Sequence, residues 1–559
     1  MIKRAATLIS LALLTACATV PPRPALPIEV QLLAFNDFHG NLETPPPVEV
    51  TEADRSKVML TTGGAAHLAA AVEQLRQPNS VTVSAGDTIG ASPLTSALFL
   101  DEPTIEAMNR IGLEFNSVGN HEFDKGIDEL KRMQAGGCER HTLRTPCAVE
   151  PFKGARFRYL AANVIGPDGR TFFPATGIRQ FGVGRNAIRL GFIGMTLKGT
   201  GNLVTPSGVK GLTFADEAAT ANLLVPGLKA AGADAIVLLI HQGGKTTNFT
   251  RGNGCEGFYG EIAKIVPQLN PAITTVVSGH SHWAYVCQGD SVGGGRLLTS
   301  AGKNGYFLTD IRLDFDPTTH RLIGQRATND VVGNGEKGED AAVKQLVDRY
   351  IAAAAPLANK VVGSLTVEAP RDVDDAESPA ADLIADSMLA ATRAPDKGGA
   401  QIALVNATGV RIALPAGEVK YKDAFAMMPF GNNLVVMTLT GAQLTQVIEQ
   451  QYAFPLRSNA TRPAALAPSQ GFSYSYDLGR PEGDRIAVMS LDGKPIDPAR
   501  RYRVVVNNYL ASGGESLSGF TGGTEVTDAG LVDIDALIAW IAPGRTPPIA
   551  NRISDATKR

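Results

Sequence analysis

The sequence predicts an α/β protein with two domains joined by a helical linker. The chain has 559 residues, 44% of them hydrophobic and 19% charged, which is a composition typical of globular proteins. Its length allows roughly two to four domains, each with its own core. In the first half, short apolar segments alternate with helical ones, as in layered α/β domains. The formal net charge of −3 does not favour a protein that binds nucleic acid through a basic surface.

The first residues have the pattern of an export signal. Two basic residues precede an apolar run over residues 5–16, which is short for a permanent membrane span. The run ends in LTAC at residues 14–17, which resembles a bacterial lipobox. We therefore predict a lipoprotein signal peptide at 1–17, lipidation of Cys17 and a proline-rich tether at 18–27. The predicted location is periplasmic, on a membrane anchor; a plain signal peptide cleaved nearby is the alternative.

The first domain is predicted to span residues 28–335. Its apolar runs predict strands at 30–35, 81–84, 188–193, 235–240 and 273–278, and helices at 65–75, 104–110 and 214–228. A polar, glycine-rich stretch at 331–336 precedes apolar positions at helical spacing, which predict a linker helix at 336–357. The remainder, 358–559, is predicted to be a second domain with strands at 434–439 and 502–507.

Four cysteines remain besides Cys17, and an even number in an exported chain favours disulfides. Short sequence separation favours pairing Cys138 with Cys147 and Cys255 with Cys287. Four cysteines allow three pairings in all, and buried free thiols are the alternative.

Five short segments of the first half carry metal-ligating side chains where an apolar stretch ends. They contain Asp37 and His39, then Asp87, then Asn120 and His121, then His241, and finally His280 and His282. Five of the eight histidines fall in these segments, which random placement would not produce. Strand ends of an α/β sheet meet at one edge, where ligands bind, and a mixture of Asp, Asn and His suits Mn, Zn, Fe or Co. Taken singly, a DxH segment is usually a polar turn, a histidine at a strand end is more often structural, and GNHE is also explained as a simple turn.

In this order, the motifs DxH, GD, GNHE, H and GHSH resemble those of the calcineurin-like metallophosphoesterases. The segments NDFHGNLE and GNHEFDKG are similar to the bacterial periplasmic 5′-nucleotidase and UDP-sugar hydrolase branch. The resemblance extends from about residue 28 to about residue 519. It implies a four-layer α/β/β/α catalytic domain, a helical linker and a C-terminal α/β domain that binds the substrate.

The resemblance also implies two divalent metal ions, of Mn, Zn, Co or Fe. The implied ligands are Asp37, His39 and His282 for one ion, Asn120, His241 and His280 for the other, and Asp87 for both. His121 is implied to stabilise the transition state or assist the leaving oxygen, with Asp124 orienting its ring. An N-cap on a helix starting at Lys125 is the alternative for Asp124.

Three segments of the second half are similar to the family's NGGGIR, PFGN and FLAxGGD motifs. The implied substrate contacts are Phe430 and Tyr509 on the two faces of a base, Asn432 on its edge, Arg411 on the phosphate and Glu515 on the ribose hydroxyls. Stacking on aromatic rings tolerates any base, and core packing is the alternative for both rings. Relatives have Asp and Phe in place of Glu515 and Tyr509, and two glycines in place of Ala407 and Thr408. Only Arg371 matches one of two arginines that some relatives carry.

The implied reaction is hydrolysis of nucleoside 5′-monophosphates for extracytoplasmic salvage, with UDP-sugars and 2′,3′-cyclic nucleotides as further substrates. The expected partners are a nucleotide substrate and the lipid anchor, without nucleic acid or an evident protein partner. One alternative is a dimanganese thiosulfohydrolase-like enzyme of sulfur oxidation, which would lack a stacking pair. Another is a catalytically degenerate surface binding lipoprotein, which would not need His121 and Asp124.

Overall fold

A computed structural model describes residues 26–52, 56–142, 144–246, 248–250, 252–289, 294–333, 338–372, 376–453 and 464–557. The predicted signal peptide, the lipidation site Cys17 and most of the tether lie outside the described residues. In the described part of the chain, no helix is both long enough and apolar enough to cross a bilayer.

The first half of the chain forms two large sheets. Its strands are β1 (Ile28–Phe35), β2 (Val48–Thr51), β3 (Lys57–Leu60), β4 (Ser80–Ser84), β5 (Leu113–Ser117), β6 (Arg158–Leu160), β7 (Val164–Ile165), β8 (Thr176–Phe181), β9 (Ile188–Thr196), β10 (Thr213–Phe214), β11 (Ala235–His241), β12 (Asn248–Thr250), β13 (Asn253–Glu256), β14 (Ile273–Ser278), β15 (Ala284–Cys287), β16 (Leu297–Ala301), β17 (Phe307–Phe315) and β18 (Leu322–Val331). Within the described residues, one sheet has the order β18-β17-β1-β4-β5-β6, and the other β3-β2-β12-β13-β15-β16-β14-β11-β9-β8.

Strand β1 has buried apolar side chains on both of its faces. Val30, Leu32 and Ala34 belong to the buried cluster between the two sheets. Leu33 and Phe35 point the other way, into a cluster with the outer helices. Successive side chains of a strand point to opposite faces, so an uninterrupted apolar run indicates a strand covered on both sides.

Helices cover the outer face of each sheet, which completes four layers. The helices of this half are α1 (Ala65–Leu75), α2 (Leu94–Ala97), α3 (Glu102–Ile111), α4 (Ile127–Ala135), α5 (Glu217–Ala230), α6 (Glu261–Ile265) and α7 (Ala341–Ala358). Helices α1, α3, α4 and α7 pack against the first sheet, and α5 and α6 against the second. The predicted four-layer α/β/β/α arrangement is confirmed.

Two predicted helix starts are shifted by capping residues. Helix α5 begins at Glu217 rather than at residue 214, because the Asp216 side chain accepts from the Ala219 N–H at 3.0 Å and Phe214 pairs in β10. Helix α7 begins at Ala341, because the Asp340 side chain accepts from the N–H of Val343 at 2.8 Å and caps the helix. Side-chain oxygens at the N-cap satisfy free amides of the first turn. The predicted domain limits at 335 and 357 stay predictions.

The second half is a smaller α/β unit. Its elements are β19 (Val361–Leu365), α8 (Pro379–Thr392), β20 (Ile402–Asn406), β21 (Gly417–Lys420), α9 (Tyr421–Met427), β22 (Asn433–Thr440), α10 (Gly441–Ala453), β23 (Leu466–Pro468), β24 (Phe472–Tyr476), β25 (Ile486–Leu491), β26 (Lys494–Pro495), β27 (Arg501–Asn507), α11 (Asn508–Ala511), β28 (Thr524–Val532), α12 (Asp533–Ile541) and β29 (Ile553–Asp555). Its main sheet has the order β23-β20-β27-β22-β28 in the described chain. Helices α8 and α12 cover one face and α10 the other, which confirms a C-terminal α/β domain. Leu94 and Ala97 of α2 join its buried cluster and link it to the first half.

Both favoured disulfides are present. Cys138 and Cys147 are joined across a sequence separation of 9, and Cys255 and Cys287 across 32. The second bond ties β13 to β15, the strand that directly follows the segment with His280 and His282. Disulfides of this kind form and persist in oxidising compartments.

Arg552, the residue before strand β29, forms ion pairs with helix α8. Its guanidinium donates to both oxygens of Asp386 at 2.8 and 2.9 Å and lies 3.4 Å from Asp382. Both carboxyl groups are buried, and burial raises the pKa of Asp382 to about 9. Arg552 therefore compensates carboxyl groups that have little access to solvent.

We expect Arg552→Met to lower the free energy of unfolding by about 3–5 kcal/mol, because removing one partner leaves buried charge uncompensated. Urea unfolding followed by circular dichroism measures the loss. Arg326→Met is the control, since this arginine is 53% exposed in its ion pairs and such pairs contribute about 1 kcal/mol or less. Equal losses of unfolding free energy for the two variants would contradict the stabilising role of the buried ion pairs of Arg552.

Candidate metal centre

Strand ends bring the predicted ligands together. Strands β1, β4 and β5 are parallel neighbours in the first sheet, and β11 and β14 are parallel neighbours in the second. Each of these five strands ends at or just before one of the ligand segments. Because parallel strands present their carboxyl ends at the same edge, the segments meet where the two sheets adjoin.

The ligand atoms form two adjoining groups. Asp37, His39 and His282 offer atoms within 4.8 Å of one another, and so do Asp87, His241 and His280. The two groups are adjacent through Asp87. Its Oδ2 lies 2.9 Å from Nε2 of His241 in its own group and 3.8 Å from Nε2 of His39 in the other. Asn120 Oδ1 lies 3.1 Å from His280 Nδ1. All seven predicted ligands are therefore in one place.

The backbone at this edge is strained. Five ligand residues have positive φ angles: Asp37 (49°), His39 (48°), Asp87 (48°), His280 (67°) and His282 (62°). Each such non-glycine residue costs of the order of 1–3 kcal/mol, and such residues concentrate at functional sites. Hydrogen bonds between the segments hold them, with the N–H of Asp37 donating to Gly86 O at 3.0 Å and that of His39 to Asp87 O at 2.9 Å.

The histidine rings are oriented to receive a cation. Nδ1 of His39 lies 2.9 Å from Gly90 O, and Nδ1 of His241 lies 2.8 Å from Ala85 O. A carbonyl only accepts, so each Nδ1 donates its proton to that carbonyl and each Nε2 faces the site. His39 Nε2 lies only 3.1 Å from His282 Nε2. The buried His241 Nε2 faces Asp87 Oδ2 at 2.9 Å and Asp37 Oδ1 at 4.0 Å.

The pKa values of these groups follow from burial and crowding. Burial raises the pKa of Asp37 to about 7, and the charge of Asp87 adds to the rise. Burial lowers the pKa of His39 to about 3, which leaves its ring neutral. Burial also disfavours charge on His241, but Asp87 and Asp37 raise its pKa to about 10. Converging imidazole nitrogens and crowded, buried carboxylates fit a pair of divalent cations.

His121 and Asp124 are in contact, as predicted. Nδ1 of His121 lies 2.9 Å from Asp124 Oδ2 and 3.1 Å from Oδ1. The N–H of Ala91 also donates to Asp124 Oδ2, at 3.1 Å. Burial alone would lower the pKa of His121, but Asp124 and Asp87 raise it to about 9. The alternative reading of Asp124 as a helix cap is wrong, because α4 starts at Ile127 without a side-chain cap.

Glu122 supports the site and was not singled out from the sequence. Its buried carboxylate accepts from the N–H groups of Asp87 at 2.9 Å, Thr88 at 2.8 Å and Gly119 at 2.7 Å. It thereby joins the Asp87 turn to the segment that carries Asn120. An acidic residue inside a run of metal ligands was the available signal.

Asn36 was also missed. Its Nδ2 donates to Asp37 Oδ2 at 2.6 Å and to Gly302 O at 2.8 Å. Its Oδ1 accepts from the N–H of Ala301 at 2.7 Å. The residue before the first ligand thus ties Asp37 to the end of β16, and no spacing in the sequence indicates this.

Two family descriptions match this chain. Residues 30–284 match the calcineurin-like phosphoesterases, and residues 361–522 match the 5′-nucleotidase C-terminal domain. The chain belongs to the calcineurin-like phosphoesterases that carry a 5′-nucleotidase C-terminal domain.

Individual relatives agree with this assignment. The chain is 26% identical to the Probable 5′-nucleotidase of Treponema pallidum, over 92% of this chain and 91% of that protein. It is 29% identical to Endonuclease YhcR of Bacillus subtilis over 87% of this chain, but spans only 37% of that protein's length. The crystal structure of the 5′-nucleotidase precursor from Thermus thermophilus has a TM-score of 0.73 and 26% identity, covering 94% of this chain and 99% of that one.

Two predicted substrate residues of the 5′-nucleotidase C-terminal domain face the metal centre of the phosphoesterase domain. The ring of Phe430 lies 6.3 Å from that of His121, nearly parallel to it at 16°. The Arg411 guanidinium lies 5.9 Å from the centre of the Phe430 ring. Arg371 donates to Arg411 O at 2.9 Å. The two domains therefore meet at the metal centre.

The other three predicted substrate residues have partners within the C-terminal domain. The side chain of Asn432 hydrogen bonds to Asp533 at the start of α12. Tyr509 accepts from the N–H of Glu515 through its hydroxyl at 3.0 Å. The Glu515 carboxylate accepts from Asn406 at 2.9 Å.

Proposed function

We propose that this protein is a metal-dependent phosphoesterase that hydrolyses nucleoside 5′-monophosphates to nucleoside and phosphate. The observation that carries the proposal is the convergence of seven ligand side chains beside Phe430 and Arg411 of the second domain. UDP-sugars and 2′,3′-cyclic nucleotides are further candidate substrates, since the same centre would cleave their phosphate bonds.

Two divalent cations, held by the ligands named above, would lower the pKa of a water molecule and neutralise charge on the phosphoryl group. Asp124 holds Nδ1 of His121, so its Nε2 is left to donate to a phosphoryl or leaving oxygen. Arg411 adds a positive charge on the same side, next to the Phe430 ring. Preorganised donors of this kind stabilise charge that develops in the transition state.

Both alternatives are less well supported. An enzyme of sulfur chemistry would not require an aromatic ring and a guanidinium against the catalytic histidine. A degenerate binding lipoprotein would not retain seven candidate ligands, five of them in a strained backbone conformation, together with the His121–Asp124 contact.

We also propose that the protein is exported and anchored by a lipid on Cys17. The lipobox-like segment at 14–17 and the two disulfides support this. Radiolabelled palmitate incorporated into the wild type but not into Cys17→Ser would support the anchor; equal labelling of both would overturn it.

The proposed function is tested by phosphate release from AMP, UDP-glucose and 2′,3′-cyclic AMP. We expect release from AMP with added Mn²⁺ or Co²⁺ and none with EDTA. Sulfate release from a thiosulfonate substrate without phosphate release from any nucleotide would overturn the proposal in favour of sulfur chemistry.

Phe430→Ala is expected to raise KM for AMP by roughly 5- to 100-fold, because base stacking on an aromatic ring contributes about 1–3 kcal/mol. The KM for p-nitrophenyl phosphate, which carries no nucleobase, should change far less. Steady-state kinetics on both substrates gives the comparison, and equal changes would refute base stacking on this ring.

A further inference from the structure

A disulfide between Cys138 and Cys147 closes a loop of the phosphoesterase domain, the disulfide loop, which reaches the second domain. Residue 143 of this loop lies outside the described residues. The Arg144 guanidinium lies 5.8 Å from the centre of the Phe425 ring. Phe425 belongs to α9 of the second domain and is only 2% exposed. The disulfide loop therefore makes a direct contact between the two domains.

Both ends of the disulfide loop are fixed to one buried ion pair. The N–H of Cys147 donates to the two oxygens of Glu102 at 3.0 and 3.1 Å. Arg132 donates to Glu102 at 2.7 Å, and both side chains are buried. Arg132 also donates at 2.8 Å to the carbonyl of Gly137, which precedes Cys138. Because breaking a buried ion pair is strongly unfavourable, the loop is firmly attached to α3 and α4.

Helix α9 connects the Arg144 contact to the predicted substrate residues. The carbonyl of Met427, the last residue of α9, accepts from the N–H of Arg411 at 2.9 Å. Phe430 follows Met427 by three residues, and its ring lies 6.3 Å from that of His121. A displacement of α9 would therefore move both Arg411 and Phe430 relative to the metal centre.

Apolar packing also joins α9 to the first half of the chain, but it has no preferred direction. Leu94 and Ala97 of α2 belong to the same buried cluster as Phe425. Hydrophobic burial is non-directional, so this packing alone would tolerate small shifts of α9. A guanidinium binds an aromatic face only within about 6 Å of the ring centre. Arg144 therefore restricts the position of α9 on this surface.

We infer that Arg144 is a positioning residue that holds α9, and with it Phe430 and Arg411, against the metal centre, and that the Cys138–Cys147 disulfide keeps Arg144 in place. This inference rests on the proposed function. Arg144 acts through α9, so its removal lowers the fraction of molecules in which the substrate residues are correctly placed. The apparent affinity for a substrate falls in proportion to that fraction, while turnover of the bound substrate is unchanged.

The test is steady-state hydrolysis of AMP by the metal-loaded full chain. We expect Arg144→Ala to raise KM about 3- to 30-fold with kcat within about 2-fold of the wild type, as the usual strength of a cation–π contact implies. Arg144→Lys should keep a KM close to that of the wild type, because an ammonium group also binds an aromatic face. Arg156→Ala is the control and should leave both constants unchanged, since this arginine is exposed and lies beyond the loop.

The double variant Cys138→Ser/Cys147→Ser tests the part of the disulfide. We expect it to raise KM for AMP about as much as Arg144→Ala, and adding Arg144→Ala to it should change KM little further, because coupled residues are not additive. Should the cysteine variant not fold, the arginine variants with the disulfide intact carry the test.

An unchanged KM in Arg144→Ala, an equal rise in Arg156→Ala, or a loss of kcat at unchanged KM would overturn the inference alone. A folded cysteine variant with the KM of the wild type would overturn the role of the disulfide. Absence of AMP hydrolysis by the metal-loaded wild type would overturn the proposed function and the inference with it.

Discussion

His121→Ala is expected to retain its divalent metal ions and to lose kcat for AMP by about 10²–10⁴-fold, the usual contribution of a positioned general acid or base. The expectation follows from the geometry of the ring. His121 is bound to Asp124 through Nδ1 and lies beside the ligand His39 at a ring distance of 5.2 Å, yet belongs to neither group of metal-binding atoms. Metal content by plasma mass spectrometry and steady-state kinetics measure the two quantities independently.

Asp124→Asn is the companion variant, because it keeps the shape of the side chain and removes its charge. We expect a smaller fall in kcat with the metals retained, since the amide can still contact the ring but supports its charge less well. Loss of metal in His121→Ala, with the remaining bound fraction fully active, would show that this histidine is a ligand rather than a catalytic residue.

Asp87→Ala is expected to lose bound metal and activity together, with kcat/KM for AMP falling by about 10³-fold or more, because the charge stabilisation by a catalytic metal is worth several kcal/mol. Asp87 borders both ligand groups through His241 and His39. Its other oxygen, Oδ1, accepts from the N–H of His121 at 2.9 Å. Its removal should therefore disturb both groups of candidate ligands and His121.

Asp348→Ala is the matched control for this variant, since this carboxylate is 54% exposed on α7 and pairs with Lys344. It should retain metal and activity. Thermal unfolding distinguishes loss of metal from loss of fold, and an Asp87→Ala protein with full metal content would contradict the shared role of this carboxylate.

Sequence patterns predicted those strands and helices that are determined by residues close together in the chain. The apolar run at 30–35 and the apolar positions at helical spacing before residue 357 predicted a strand and a helix, and both are present as β1 and α7. The strands β2, β3, β12 and β13 have only three or four residues each, too few to show a pattern, and β12 pairs with β2 at a distant position in the chain. For this reason the extent of the second sheet could not be predicted.

The same distinction applies to the site. Ligands such as Asp37 and His241 were predictable because each lies at or just after the end of a strand and is chemically suited to a metal. The supporting role of Glu122 was not, because its partners are backbone amides of another segment that approach it only in the folded chain. The environment of Glu515 was hidden for the same reason: its partners Asn406 and Thr408 lie more than a hundred positions earlier in the sequence.

The central claim is that seven side chains bind a pair of divalent cations that nucleotide hydrolysis requires. The most direct test is titration of the EDTA-treated full chain with Mn²⁺, with the bound metal and phosphate release from AMP measured in the same samples. The account predicts two ions per chain and a rate that rises with occupancy. A folded protein that binds no Mn²⁺, or that releases phosphate equally well in EDTA, would contradict it.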